Sequence, residues 1–172
     1  MDREELQKRF KSGERDFSGV DWSDSSLHTL NLTGIILVGA NLSRCVLSDT
    51  MFDNANLEGA CFKGANLDGA RFQNANLCRA NFDSSILIRA SFYECNADEA
   101  SFGNTDIRMA DFKETTLRTT NWADIADEGD NLFIDVDFTG SEYIPDVWDD
   151  AVRVILPDGE IYTTPRLEGR NW

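Results

Sequence analysis

Between Phe52 and Phe82 the chain reads FDNANLEGACFKGANLDGARFQNANLCRANF, with a large apolar residue at every fifth position. A period of five fits neither regular element. On an α-helix, five residues advance through about 500°, a net rotation of about 140°, so these side chains would scatter around the axis. On a flat strand, an odd period sends successive large residues to opposite faces. One dry side survives only if the chain turns a corner within every unit. The pattern therefore predicts short straight edges joined by corners, with successive turns stacked as strands about 4.8 Å apart.

The register is long. In steps of five from Phe17 to Trp122, every central position but Ala97 holds Phe, Leu, Ile or Trp. Two places before each centre stands Ala, Ser, Thr or Cys, except at Arg15, Val20, Leu30 and Ile35, all near the N-terminal end. A large and a small side chain thus point inward together. Phe recurs at every second centre from Phe52 to Phe112, with Leu at most intervening centres. A turn of three units would stack Phe on Leu. A turn of four units stacks Phe62, Phe82, Phe102 and Trp122 in one column, and Phe52, Phe72, Phe92 and Phe112 in the opposite one. Like-on-like stacking fills a uniform interior without voids, which favours four edges per turn.

The stretch ANLEG-ACFKG-ANLDG-ARFQN-ANLCR-ANFDS, residues 55–84, resembles A(D/N)LXX, the signature of the pentapeptide-repeat family. The similarity spans roughly residues 15–123 and continues less regularly to about 150. It implies an all-β solenoid, a right-handed quadrilateral parallel β-helix. The opening LQKRFKSGERDFSGVDWS resembles leaders that precede such repeats in cyanobacterial members.

An open β-helix exposes apolar core and unpaired edges at both ends, so caps are expected. Residues 1–14 read as a helical N-terminal cap, with Asp2 starting it, Gly13 ending it, and Leu6 and Phe10 over the first turn. Residues 15–123 form the β-helix. Over 124–150 we expect an acidic loop and a ragged final turn. The register slips by one residue after Trp122, ADIADEGD reads as a loop, and Phe133, Phe138, Tyr143 and Trp148 resume the spacing. IPDVWDDAV suggests a helical turn. Residues 151–172 form a C-terminal cap or tail, in which VRVIL-PDGE-IYTT reads as a hairpin.

No catalytic constellation emerges. The sole histidine, His28, faces outward, and no partner set for nucleophilic catalysis surrounds it. Cys45 and Cys95 take the inward small position and Cys61 and Cys78 point outward. None lies in a CxxC or Cys/His cluster, so we read four reduced thiols and no zinc site. Asn and Asp recur just before the centres, as at Asn41, Asn56, Asn66, Asn76, Asn81 and Asp111. Such regularity suits backbone bonding at each corner better than paired catalytic carboxylates. Gly39, Gly59, Gly64 and Gly69 fit corners with positive φ. We therefore expect no enzyme activity, no cofactor and no metal.

Net charge is −15, divided as +1 over residues 1–15, −7 over 16–124 and −9 over 125–172. That balance disfavours direct contact with nucleic acid or anionic membrane. No apolar run approaches about 18 residues and no secretory signal opens the chain, so a cytoplasmic location is expected. Two candidate surfaces stand out. One is apolar: Val46, Ile86 and Ile88 flank centres on one edge, with Met109 one turn further on. The other is the acidic end at Asp124, Asp127, Glu128, Asp130, Asp135 and Asp137. The favoured reading is an interaction module or rigid spacer for an unknown protein partner, monomeric or weakly dimeric. The resemblance also implies an alternative: some family members imitate DNA in shape and charge and protect DNA gyrase from quinolones.

Overall fold

A computed structural model describes residues 2–126, 131–144 and 151–163. The chain opens with helix α1, Arg3–Lys11. The Asp2 carboxylate accepts from the Glu5 N–H at 2.9 Å, capping it. Glu4 and Glu5 lie in its first turn and Lys8, Arg9 and Lys11 in its last, which suits the helix dipole. Gly13, with φ at 100°, leads the chain away. Leu6 is fully buried and Phe10 packs half-buried against the core, as the sequence led us to expect.

From Asp16 onward the backbone pairs with itself in parallel, each residue meeting the one four units further along. Asp16 bridges Ile36, Asp21 bridges Asn41, Ser26 bridges Val46 and Asn31 bridges Met51; the cycle then restarts with Ile36 and Asn56. A layer is therefore four units long, with one bridge per unit. Four hydrogen bonds define a unit, as around Phe62. Its N–H donates to Asn81 O at 2.7 Å, Cys61 N–H donates to Ala40 O at 2.9 Å, Gly64 N–H donates to Asp83 O at 2.9 Å, and Ala65 N–H closes a tight turn onto Phe62 O at 2.9 Å. The first three join layers; the fourth makes the corner.

The interior holds one large side chain in each unit but that of Ala97. Phe62 and Phe82 stack with ring centroids 5.0 Å apart and planes within 3°; Phe82 and Phe102 are 5.1 Å apart, and Phe102 and Trp122 4.2 Å. The opposite column runs Phe52, Phe72, Phe92, Phe112, Phe133, with neighbours 4.7–5.4 Å apart. The two columns meet edge to face, as between Phe72 and Phe82 at 5.9 Å. Both arrangements suit the aromatic quadrupole and add about 0.5–1.5 kcal/mol per pair beyond burial. Ala97 is fully buried in the column of Leu77 and Leu117.

Hydroxyls and thiols at the small inward position tie layers together. Thr50 Oγ1 donates to Leu27 O at 3.0 Å, Thr105 Oγ1 to Phe82 O at 3.0 Å, and Cys95 Sγ to Phe72 O at 2.7 Å. Each acceptor is the central residue of the layer before. The buried Ser85 Oγ has no partner among the described residues.

The continuous strands lie toward the C-terminus: β1 (Ser91–Tyr93), β2 (Asp111–Lys113), β3 (Leu132–Asp137), β4 (Ala151–Ile155) and β5 (Ile161–Tyr162), adjacent in that order. The first three interfaces are parallel, and β4 pairs antiparallel with β5. The hairpin is thus present, its turn closed by Gly159 N–H on Leu156 O at 2.9 Å. Asp106 still bridges Ala126, four full units on, whereas Asp111 pairs with Leu132, one place beyond four units. The single-residue slip therefore falls after Ala126, not immediately after Trp122. Phe133 and Phe138 are buried as expected, but Tyr143 is 71% exposed. Phe138 meets Trp122 edge-on at 5.8 Å, and φ of 54° at Tyr143 turns that side chain out of the core. Trp148 and the helical turn read in IPDVWDDAV fall largely at 145–150, outside the described residues; Ala151 begins β4.

Candidate functional site

Three positions of each unit face outward: one before the centre and two after it. The residue before the centre is mostly Asn or Asp, and its side chain serves the backbone. Asn81 Oδ1 accepts from Asp83 N–H at 2.8 Å, Asn41 Oδ1 from Ser43 N–H at 3.1 Å, and Asn66 Oδ1 from Asp68 N–H at 3.1 Å. These carboxamides hold corners and are not arranged for catalysis.

The second residue after each centre adopts positive φ in unit after unit, whether glycine or not: 63° at Gly59, 57° at Arg89, 59° at Met109 and 55° at Thr119. These corner side chains project into solvent, where arginines reach acids one layer below. Arg44 meets Asp24 at 2.6 Å, Arg89 meets Asp68 at 2.7 Å, and Arg79 pairs with Glu58; Arg118, one place before its corner at Thr119, also reaches an acid one layer below, Asp98. Burial pushes the Asp98 carboxyl up, but the Arg118 guanidinium and backbone N–H outweigh it and hold it below its ordinary value. The hydrogen bonds from Arg108 do the same for Asp106.

The apolar candidates share one face. Val46 and Ile86 occupy equivalent places before their centres, bridged through Asn66. They are therefore two layers, roughly 10 Å, apart. Each is 41% exposed, and Met109, at a corner of the next layer, is 52% exposed. Ile88 is only half-buried and contributes a smaller area. Five large apolar side chains are well exposed among the described residues, and three of them lie on this face; the other two, Tyr143 and Ile161, lie in the C-terminal part. Two ion pairs border the patch, Arg89 with Asp68 and Arg108 with Asp106. Asn66 separates Val46 from Ile86 and Asp106 follows Ile86 in the same column, so the face sets apolar side chains among polar and paired charged ones, the mixture found at non-obligate protein contact sites.

Three of the six acidic-end residues are described. Asp135 pairs with Arg153 at 2.9 Å, and Asp137 accepts from Thr139 N–H at 2.9 Å. Asp124 is an exposed corner residue with φ at 57°. Asp127, Glu128 and Asp130 lie outside the described residues. Among the described residues no three His, Cys, Asp or Glu side chains converge as metal ligands, and no helix is long and apolar enough to cross a membrane.

His28 is exposed, with Ser26 Oγ 2.9 Å from Nδ1. The four cysteines are free thiols. Burial drives the Cys95 thiol up to about 12 and raises Cys45 as well, which suppresses the reactive thiolate at both.

The family model described as "Pentapeptide repeat region" matches residues 66–143, and the one described as "Pentapeptide repeats (8 copies)" matches residues 16–49 and 25–64. The chain belongs to the pentapeptide-repeat family. Solved structures of other pentapeptide-repeat proteins are similar to it. The pentapeptide-repeat protein alr5209 from Nostoc Pcc 7120 is 26% identical over 55% of this chain and 80% of its own, with a TM-score of 0.52. HetL, involved in heterocyst differentiation regulation in the cyanobacterium Nostoc sp. strain PCC 7120, is 18% identical over 94% of this chain and all of its own, with a TM-score of 0.39. Trypsin-treated QnrB1, a plasmid-mediated fluoroquinolone resistance protein, is 19% identical over 81% of this chain and 79% of its own, with a TM-score of 0.42. No curated protein matches this pentapeptide-repeat chain.

Proposed function

We propose that this pentapeptide-repeat protein is a non-enzymatic interaction module whose partner docks on the face carrying Val46, Ile86, Ile88 and Met109. The observation behind this reading is that three of the five well-exposed large apolar side chains gather on one face. In the same reading the fold is a right-handed quadrilateral β-helix, a solenoid of residues 15–123. Residues 1–14 cap one end, 124–150 make the acidic loop and final turn, and 151–172 cap the other end. A cytoplasmic, monomeric or weakly dimeric protein fits its free thiols. The acidic end serves as a secondary contact for a basic partner.

The test is affinity capture from native lysate with wild type and an Ile86→Asp/Ile88→Asp variant, after melting curves establish that both fold alike. The reading expects specific partners captured by wild type and lost by the variant. Identical captures would refute it. The gyrase alternative has less support, because arginines neutralise Asp24, Glu58, Asp68 and Asp98 across the repeat faces. An effect on supercoiling at about micromolar protein would nevertheless put that alternative first.

A further inference from the structure

We propose that the cleft between α1 and the first layer binds an extended acidic peptide, which adds a strand to the open edge at Asn31. The site is separate from the apolar face. Helix α1 is held over the first layer by buried Leu6 and by Arg3 Nη1, which donates to His28 O at 2.8 Å. Between the helix and residues 29–33 lies a cavity of about 650 Å³. That volume is within the usual range for ligand sites.

The lining is unusual for a chain of net charge −15. Arg3, Lys11 and Arg15 all border the cavity, and no carboxylate does. Among the described residues none of these three cations pairs with an acid, whereas neighbouring Arg9 is committed to Glu14. Arg3 and Lys11 stand at opposite ends of α1, about 12 Å apart along its axis, the span of three to four extended residues. Gln7 and Phe10 face the cleft between them.

The opposite wall supplies backbone. In later layers the residue before each centre uses both its backbone groups on the layer below: Met51 N–H donates to Leu30 O at 2.9 Å, and its carbonyl accepts from Leu32 N–H at 2.8 Å. Asn31 is the equivalent residue of the first layer, and no layer lies below it. Its N–H and C=O have no backbone partner among the described residues, and both point to the end that the cavity occupies. An extended peptide satisfies such an edge through its main chain, and alternate side chains then reach the flanking wall. Cations on that wall select carboxylates.

The test uses the full chain and a fluorescein-labelled peptide, acetyl-Val-Glu-Val-Asp-Val-Glu-amide, read by anisotropy. Saturable single-site binding is expected. Lys11→Glu should weaken it about tenfold, as should about 0.5 M NaCl. N-methylation of alternate backbone nitrogens should weaken it about tenfold too, while Ile86→Asp/Ile88→Asp should leave it unchanged. Melting curves check that Lys11→Glu stays folded; Arg15→Gln provides a second variant expected to weaken binding. No saturation by about 1 mM peptide would overturn the proposal. So would indifference to Lys11→Glu and Arg15→Gln, or equal binding of the N-methylated peptide, which would leave charge attraction without strand addition. Displacement by inorganic phosphate at matched concentration would assign the cleft to small anions instead, and so also overturn it.

Discussion

At the scale of single residues, the corner decides most. A left-handed backbone costs an L-residue about 1–2 kcal/mol, and the chain accepts it at Glu99, Met109 and Thr119 because the interlayer hydrogen bonds require that turn. Gly59 makes the clean test, since a Cβ there would meet nothing within 4 Å and only the backbone penalty remains. Urea unfolding should show Gly59→Val less stable by about 1–2 kcal/mol and Glu99→Gly more stable by up to about 1 kcal/mol. The sequence displayed this need at Gly39, Gly59, Gly64 and Gly69. It hid the need wherever a longer side chain sits in the same conformation, because propensity is local and the interlayer ladder is not. The inward hydroxyls were hidden likewise: Thr and Ser read simply as small, yet Thr50 bonds the layer below and Ser85 does not. Thr50→Ala should cost about 1 kcal/mol, and Ser85→Ala, which removes an unsatisfied buried oxygen, should be neutral or stabilising in the same unfolding assay.

At the scale of elements, columns replace sheets as the unit of packing. Phe82 is stacked on both sides and met edge-on by Phe72 and Phe92, so Phe82→Ala should cost about 3–5 kcal/mol in chemical denaturation. Ala97 breaks a column of larger aliphatic residues, and Ala97→Leu should raise the melting temperature; a marked fall would mean that its neighbours have already closed in. The columns were legible because like residues recur at fixed distance. The upper end was legible only in part: the hairpin and the inward Phe133 and Phe138 were read, the outward Tyr143 was not. Tyr143 keeps the spacing of five yet lies outside, since Phe138 already packs against Trp122 and β4 has joined β3. Periodicity reports which residues are able to face inward, not whether a further layer exists to receive them. The candidate surface was largely legible: the sequence marks Val46, Ile86 and Ile88 on one edge with Met109 one turn on, but not that Ile88 is partly covered while the other three are well exposed.

At the scale of the whole molecule, stability should be bounded at both ends of the pH range. Asp98 and Asp106 have folded pKa values below their unfolded ones, so their contribution is full above an unfolded value of about 4 and fades as pH falls through the folded values. Thermal melts should drop steeply below about pH 4, and Asp98→Asn should flatten that slope. Cys95 acts in the opposite direction. Its thiol stays protonated in the fold to about 12, against an ordinary 9.0, so stability falls as pH rises across that interval, and Cys95→Ala should remove that part of the fall. The repeat length underlies all of this, and dipolar coupling between nitroxide labels measures it directly in a background where Cys45, Cys61 and Cys95 are replaced by Ser. With Cys78 labelled, a second label at Glu58→Cys, four units away, should lie one layer off, about 5 Å by backbone, and broaden the spectrum strongly. A label at Lys63→Cys, three units away, should sit on an adjacent edge and couple weakly. Strong coupling from position 63 with little from position 58 would contradict a layer of four units.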